Sequence, residues 1–109
     1  MGSGEPLAKE ISSSELREHV DRPGEAAFVL FHGSWCHDCK AFMPTWNRWA
    51  TDMKGSVFMV EILRGGSEWR DWGIDEIPTV AAFKDGSELG RAHGSISERD
   101  LDRLWKLTR

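Results

Sequence analysis

Apolar residues recur along the chain with two periods, and the switches between them mark its elements. In "SSSELREHV" Leu16 and Val20 stand one helical turn apart, and Ser12 with Glu15 three residues later forms a capping-box pattern, which predicts a short helix. "DRPGE" breaks it. Ala26–His32, "AAFVLFH", is a continuous apolar run of strand length, the pattern of a central strand covered on both faces. Cys39, Phe42, Met43, Trp46, Trp49, Ala50 and Met53 then return at intervals of three and four, tracing one face of a long helix that begins at or near Cys36. Pro44 falls inside this pattern. It removes one helical N–H and is expected to kink the helix rather than end it, because the apolar face runs on beyond it. "SVFMVEIL" predicts a second buried strand, Gly65–Gly66 a turn, and "SEWRDWG" a short helix closed by Gly73. "TVAAFKDGSELGRAHG" predicts two strands joined at Asp85–Gly86, and Ser97 caps a last helix carrying Leu101, Leu104, Trp105 and Thr108. Trp46, Trp49, Trp69, Trp72 and Trp105 lie on helix faces and are expected in or near the core. His19 and His93 have no partner at ligand spacing and are expected at the surface or at strand ends.

Strands alternating with helices and closing on a hairpin and a helix describe an α/β fold. Its expected form is a mixed sheet of four to five strands with helices on both faces. With 109 residues, 39% hydrophobic and 29% charged, residues 5–109 form one domain, and "MGSG" at 1–4 reads as a cloning scar. A net charge of -4 lacks the basic surface that phosphate backbones require, so nucleic acid is not an expected partner. No apolar run approaches the ~20 residues that span a bilayer, and the N-terminus lacks the basic-then-apolar layout of a secretion signal. A soluble monomer of the cytoplasm, without membrane association, is the expectation.

The chain's two cysteines, Cys36 and Cys39, stand in "WCHDCK" at the predicted junction of strand and long helix. As a structural staple the pair would close too short a loop to remove much unfolded-state entropy. As a zinc clip it lacks a second CxxC or an HxxxH, although His32, His37 and Asp38 are near in sequence; no metal is expected. A redox couple fits best. Sites in such sheets gather at the carboxyl ends of strands, and a helix N-terminus there presents free N–H groups and the positive end of the helix dipole, which favour a thiolate.

The ordered set is more specific than the CxxC alone. "WCHDCK" after an apolar strand, Pro44 five residues past the second cysteine, "GIDEIPT" further on, "FKDG", and Gly94 before the last helix together resemble the thioredoxin family, over nearly the whole chain from about Ile11. The resemblance implies a thioredoxin fold and a thiol-disulfide oxidoreductase that reduces protein or small-molecule disulfides by dithiol exchange, with no bound cofactor. Electrons would come from a reductase or a low-molecular-weight thiol. Cys36 is the expected nucleophile and Cys39 the thiol that resolves the mixed disulfide. Trp35 would form an apolar rim. Ile77, Pro78 and Gly94 would border the nucleophile as a shallow peptide groove, with the Ile77–Pro78 bond cis as in the family.

Two departures stand out. Thioredoxins typically carry a buried aspartate where this chain has Leu30, so proton transfer at Cys39 would fall to Asp38, His37, Glu61 or water. The spacer pair His37–Asp38 replaces the usual Gly-Pro and is expected to tune the site. A cation beside a thiolate stabilises it and an anion does the reverse, and the aspartate is expected to prevail, giving a reducing protein. Two other functions remain open. The fold could serve as a binding module with vestigial or regulatory cysteines, or the pair could work as a disulfide oxidase or isomerase.

Overall fold

The computed structural model describes residues 8–53 and 56–109, so the tetrapeptide at 1–4 lies outside the described residues. Nine elements follow in order: β1 (Lys9–Glu10), α1 (Ser13–Val20), β2 (Ala26–His32), α2 (His37–Thr51), β3 (Ser56–Glu61), α3 (Glu68–Asp71), β4 (Thr79–Lys84), β5 (Ser87–His93) and α4 (Glu98–Leu107). The strands form one mixed sheet in the order β1-β3-β2-β4-β5. β3 is parallel to β1 and β2, whereas β4 runs antiparallel to β2 and β5 antiparallel to β4. This is a thioredoxin fold.

β2 sits at the centre because its side chains are apolar on both faces. Val29 and Phe31 turn to one side with Phe58 and Val60 of β3, where Leu16 and Val20 of α1 and Trp72 and Ile74 cover them. Phe28 and Leu30 turn to the other side with Val80 and Ala82 of β4, under Phe42, Trp46 and Trp49 of α2 and Leu101 and Leu104 of α4. Two cores, one per face, clamp the strand that leads into the cysteine pair. Both outer helices are capped as their sequences specify. Ser12 and Glu15 close a capping box on α1, and Ser97 with Asp100 closes another on α4. Asp85 and Gly86 make the β4–β5 turn with φ of 54° and 83°, the positive values that a two-residue hairpin turn requires.

Three details differ from the sequence reading. β1 was not anticipated, because its two residues are exposed and it is held by backbone pairing of Lys9 and Glu10 with Phe58 and Met59. α2 continues through Pro44 but ends at Thr51, leaving Met53 beyond its last turn. Trp105 is 36% exposed rather than core, since Leu101, Leu104 and Thr108 already fill the inner face of α4 and turn the indole to its edge. Trp69, expected in or near the core, is half-buried and packs against it beside Trp35. Among the described residues, no helix is long and apolar enough to cross a membrane.

Candidate active site

The turn after β2 sets the cysteine pair. The backbone N–H of Cys36 donates to the Gly33 carbonyl at 3.0 Å, which closes the loop and delivers Cys36 to the N-cap of α2 with φ -93° and ψ 111°. There its sulfur acts as the capping acceptor. The Cys39 backbone N–H donates to Cys36 Sγ at 3.2 Å, taking the place an Asp or Ser side chain usually fills. The Cys36 thiol in turn faces the Ile77 carbonyl at 3.7 Å.

Both thiols are free, but their surroundings differ. Cys36 is 7% exposed and forms part of the wall of an open cleft of about 430 Å³, whereas Cys39 is 1% exposed and lies in the core beneath it. Burial and then its hydrogen bond with Cys36 push the Cys39 thiol up to about 12; a hydrogen bond from the Gly33 backbone opposes them, and the nearby charges of Cys36 and Asp38 add smaller upward contributions.

Trp35, Cys36, His37, Asp38, Arg64, Trp69, Glu76 and Ile77 line this cleft. The Trp35 indole N–H donates to the Ile62 carbonyl at 3.0 Å, and its ring lies 6.2 Å from that of Trp69. Gly33 makes room for this, because a Cβ there would sit 2.7 Å from Trp35 Nε1. The Ile77–Pro78 bond is cis; Ile77 lines the cleft, whereas Pro78 is buried and is not among its lining residues. The Gly94 N–H donates to the Pro78 carbonyl at 3.1 Å. Gly94 borders a second depression, shared with Asp38, Ala41, Phe42, Ser95 and Ile96, so Asp38 stands between the two.

Three cleft residues had no functional signal in the sequence. Arg64 and Glu76 reach the cleft from loops flanking α3, and Trp69 had a periodicity that read as core. The histidines outside the cleft have carboxylate partners: His19 Nδ1 lies 3.0 Å from Glu25, His32 Nε2 2.9 Å from Glu10, and His93 Nδ1 2.6 Å from Glu76. Leu30 is fully buried, and Glu61 is exposed at the end of β3, so neither supplies a buried carboxylate. Among the described residues, no group of three or more His, Cys, Asp or Glu side chains is arranged to hold a metal ion.

The thioredoxin family model matches residues 8–106. The chain belongs to the thioredoxin family. Among its relatives, a probable thioredoxin-2 of Caenorhabditis elegans is 31% identical over 93 residues, covering 84% of this chain and 64% of the relative. A protein disulfide-isomerase 2-3 of Arabidopsis thaliana is 31% identical over 87 residues, covering 78% of this chain and 20% of the relative. The chain thus spans just under two thirds of the first and a fifth of the second. Thioredoxin f of spinach chloroplast, in its short form, superposes with a TM-score of 0.79 at 18% identity over 94% of each chain. A mutant thioredoxin of Halobacterium salinarum superposes with a TM-score of 0.76 at 18% identity over 96% of each. At that identity the likeness is one of fold. The chain is therefore a member of the thioredoxin family that carries a CxxC pair at Cys36 and Cys39.

Proposed function

We propose that the protein reduces disulfides by two successive thiol exchanges, with Cys36 as nucleophile and Cys39 as resolving thiol. The observation that carries this reading is the asymmetry of the pair. Cys36 reaches the cleft and receives the Cys39 N–H on its sulfur, whereas Cys39 is buried and held protonated. The helix N-terminus favours negative charge on the first sulfur.

The Cys36 thiolate attacks one sulfur of a substrate disulfide. The second substrate sulfur leaves as a thiolate and takes a proton from solvent. Cys39 then gives up its proton and attacks Cys36 Sγ, which breaks the mixed disulfide and releases the remaining substrate thiol. Two electrons have passed to the substrate, and the chain holds a Cys36–Cys39 disulfide that an external thiol or reductase returns to the dithiol. With Leu30 apolar and Glu61 exposed, neither position offers the Cys39 proton a buried carboxylate, and the proton passes to solvent.

Single-turnover reduction of hydroxyethyl disulfide by the pre-reduced protein tests the scheme. The expected yield is two free thiols per chain, with none from Cys36→Ser and one from Cys39→Ser, which stops at the mixed disulfide. Absence of thiol release from the wild type, with protein partners still bound, would assign the chain to the binding modules.

A further inference from the structure

The exchange scheme makes no use of Arg64, the cleft's one arginine. Its guanidinium lies over the Trp35 ring, 4.7 Å from the centroid. The ledge beneath it is fixed by the turn that carries it: Trp35 donates to the carbonyl of Ile62 and Trp69 to that of Leu63, the two residues just before Arg64. The Gly66 N–H also donates to Leu63, which closes the turn. Stacking on an indole orients a guanidinium while leaving its in-plane N–H donors available. Arg17 and Arg109 stack on Trp72 and Trp105 in the same way but line no part of this cleft, and some other arginines have those donors engaged. Arg91 bonds Glu88 and the carbonyls of Trp72 and Gly73, and Arg48 pairs with Glu98. Among the described residues, Arg64 takes part in no ion pair.

Arg64 lies over Trp35 at one wall of the cleft, and Asp38 and Glu76 share its lining. Both carboxylates extend toward Gly94: Asp38 also borders the depression that contains it, and Glu76 pairs with His93 within 4 Å of where a Gly94 Cβ would lie. A disulfide entering the cleft meets complementary charge when an anion lies toward Trp35, and like charge when a cation does. The fork of a guanidinium matches a carboxylate in two hydrogen bonds.

We propose that Arg64 is a substrate-positioning residue that binds a carboxylate next to the reacting disulfide, so that the favoured substrates are acidic disulfides. The inference rests on the reductase reading and names the substrate class of the same site. The carboxylate belongs either to an Asp or Glu flanking a cystine in a peptide or to the α-carboxylate of a small cysteine disulfide.

Initial rates on matched substrates decide it. One arm uses end-blocked peptide disulfides with Glu, Gln or Lys beside the cysteine, and the other uses cystine against its dimethyl ester. An exposed ion pair worth up to ~1 kcal/mol corresponds to a preference in kcat/KM of about fivefold for the carboxylate substrate over its neutral match, carried mainly by KM at low salt. High salt should shrink it. Arg64→Gln should bring the ratio close to one, Arg64→Lys should keep part of it, and Arg103→Gln on α4 should leave it in place, which separates local contact from net charge. Preference in the peptide arm assigns protein substrates, and preference confined to the cystine arm assigns small ones; either supports the proposal. Equal ratios in the wild type, or a ratio that survives Arg64→Gln, overturn it while leaving the reductase reading intact. Failure of the wild type to reduce even hydroxyethyl disulfide overturns both.

Discussion

The backbone N–H of Cys39 donates to Cys36 Sγ at 3.2 Å, so the first turn of α2 caps itself with a sulfur from the residue three positions earlier. The same turn that offers N–H groups to one sulfur carries the other into the core. A CxxC spacing on a helix start therefore yields two chemically different thiols without any further residue, and several measurable consequences follow from that difference.

Alkylation should distinguish the two. With Cys39 1% exposed and pushed up to about 12, iodoacetamide near neutral pH is expected to modify the reduced protein once, at Cys36. Peptide mass mapping after partial reaction checks this; first or equal labelling of Cys39 would contradict the assignment of roles.

Stability of the dithiol form should fall in alkali. Burial raises the Cys39 thiol from its ordinary 9.0 to about 12, so at lower pH both folded and unfolded chains keep it protonated and it contributes no pH dependence. Between about pH 9 and pH 12 the unfolded chain loses this proton while the folded chain retains it, which favours unfolding. Urea midpoints measured across that window should decline more steeply for the reduced wild type than for Cys39→Ala.

Asp38 lies beside both sulfurs in sequence and helps, after burial and the Cys36 hydrogen bond, to hold the Cys39 proton on. Replacing it with Asn removes a charge that opposes the thiolate. Release of a mixed disulfide by Cys39 at pH 7 should therefore speed up, by about two- to threefold for an exposed charge of this kind, and the reduction potential should become less negative. Rapid-quench kinetics of the second exchange step measures the first effect, and equilibration with a thiol buffer the second. Slower release in Asp38→Asn would show instead that the carboxylate carries the proton away.

Leu30 occupies the position where thioredoxins typically hold a buried aspartate, and in this chain it packs among Phe42, Trp46 and Val80 with no exposed surface. Leu30→Asp would lose that packing and place a carboxyl in an apolar core. A loss of stability of at least ~3 kcal/mol is expected, read from urea denaturation. A neutral outcome would mean that the α2 face of the sheet tolerates polarity that its packing argues against.

Most of the fold was legible because its signals are local. Ala26–His32 is apolar throughout and became the central strand, and the three-and-four spacing of Phe42, Trp46 and Trp49 became the buried face of α2. β1 escaped because Lys9 and Glu10 are exposed and their pairing with β3 is carried by the backbone, which side-chain patterning does not report. The site divides in the same way. Trp35, Cys36, His37 and Asp38 are neighbours in sequence, and Ile77 could be placed by the family pattern around "EIPT". Arg64, Trp69 and Glu76 come from the segment around α3, and only the folding of that segment across the end of β2 brings them to Cys36.

Gly33 offers a test of the ledge that holds both Trp35 and Arg64. A Cβ built on it would stand 2.7 Å from Trp35 Nε1, 2.9 Å from Cε2 and 3.0 Å from the Ile62 carbonyl oxygen. The indole could move away only by giving up its hydrogen bond to that same oxygen, and the oxygen belongs to a backbone whose N–H is itself bonded to the His32 carbonyl at 2.6 Å. Gly33→Ala should therefore cost about 1–3 kcal/mol, the usual range for forcing extra volume into a packed site. It should also expose the Trp35 indole N–H to faster solvent exchange and reduce the carboxylate preference carried by Arg64. Gly65→Ala is the matched control, because no heavy atom lies within 4 Å of its Cβ position and its backbone needs no positive φ. If both substitutions are equally harmless, Trp35 is free to leave Ile62 and the ledge is not a fixed part of the site; if only Gly33→Ala disturbs indole exchange and substrate preference, the contact between glycine and tryptophan is what holds Arg64 in place.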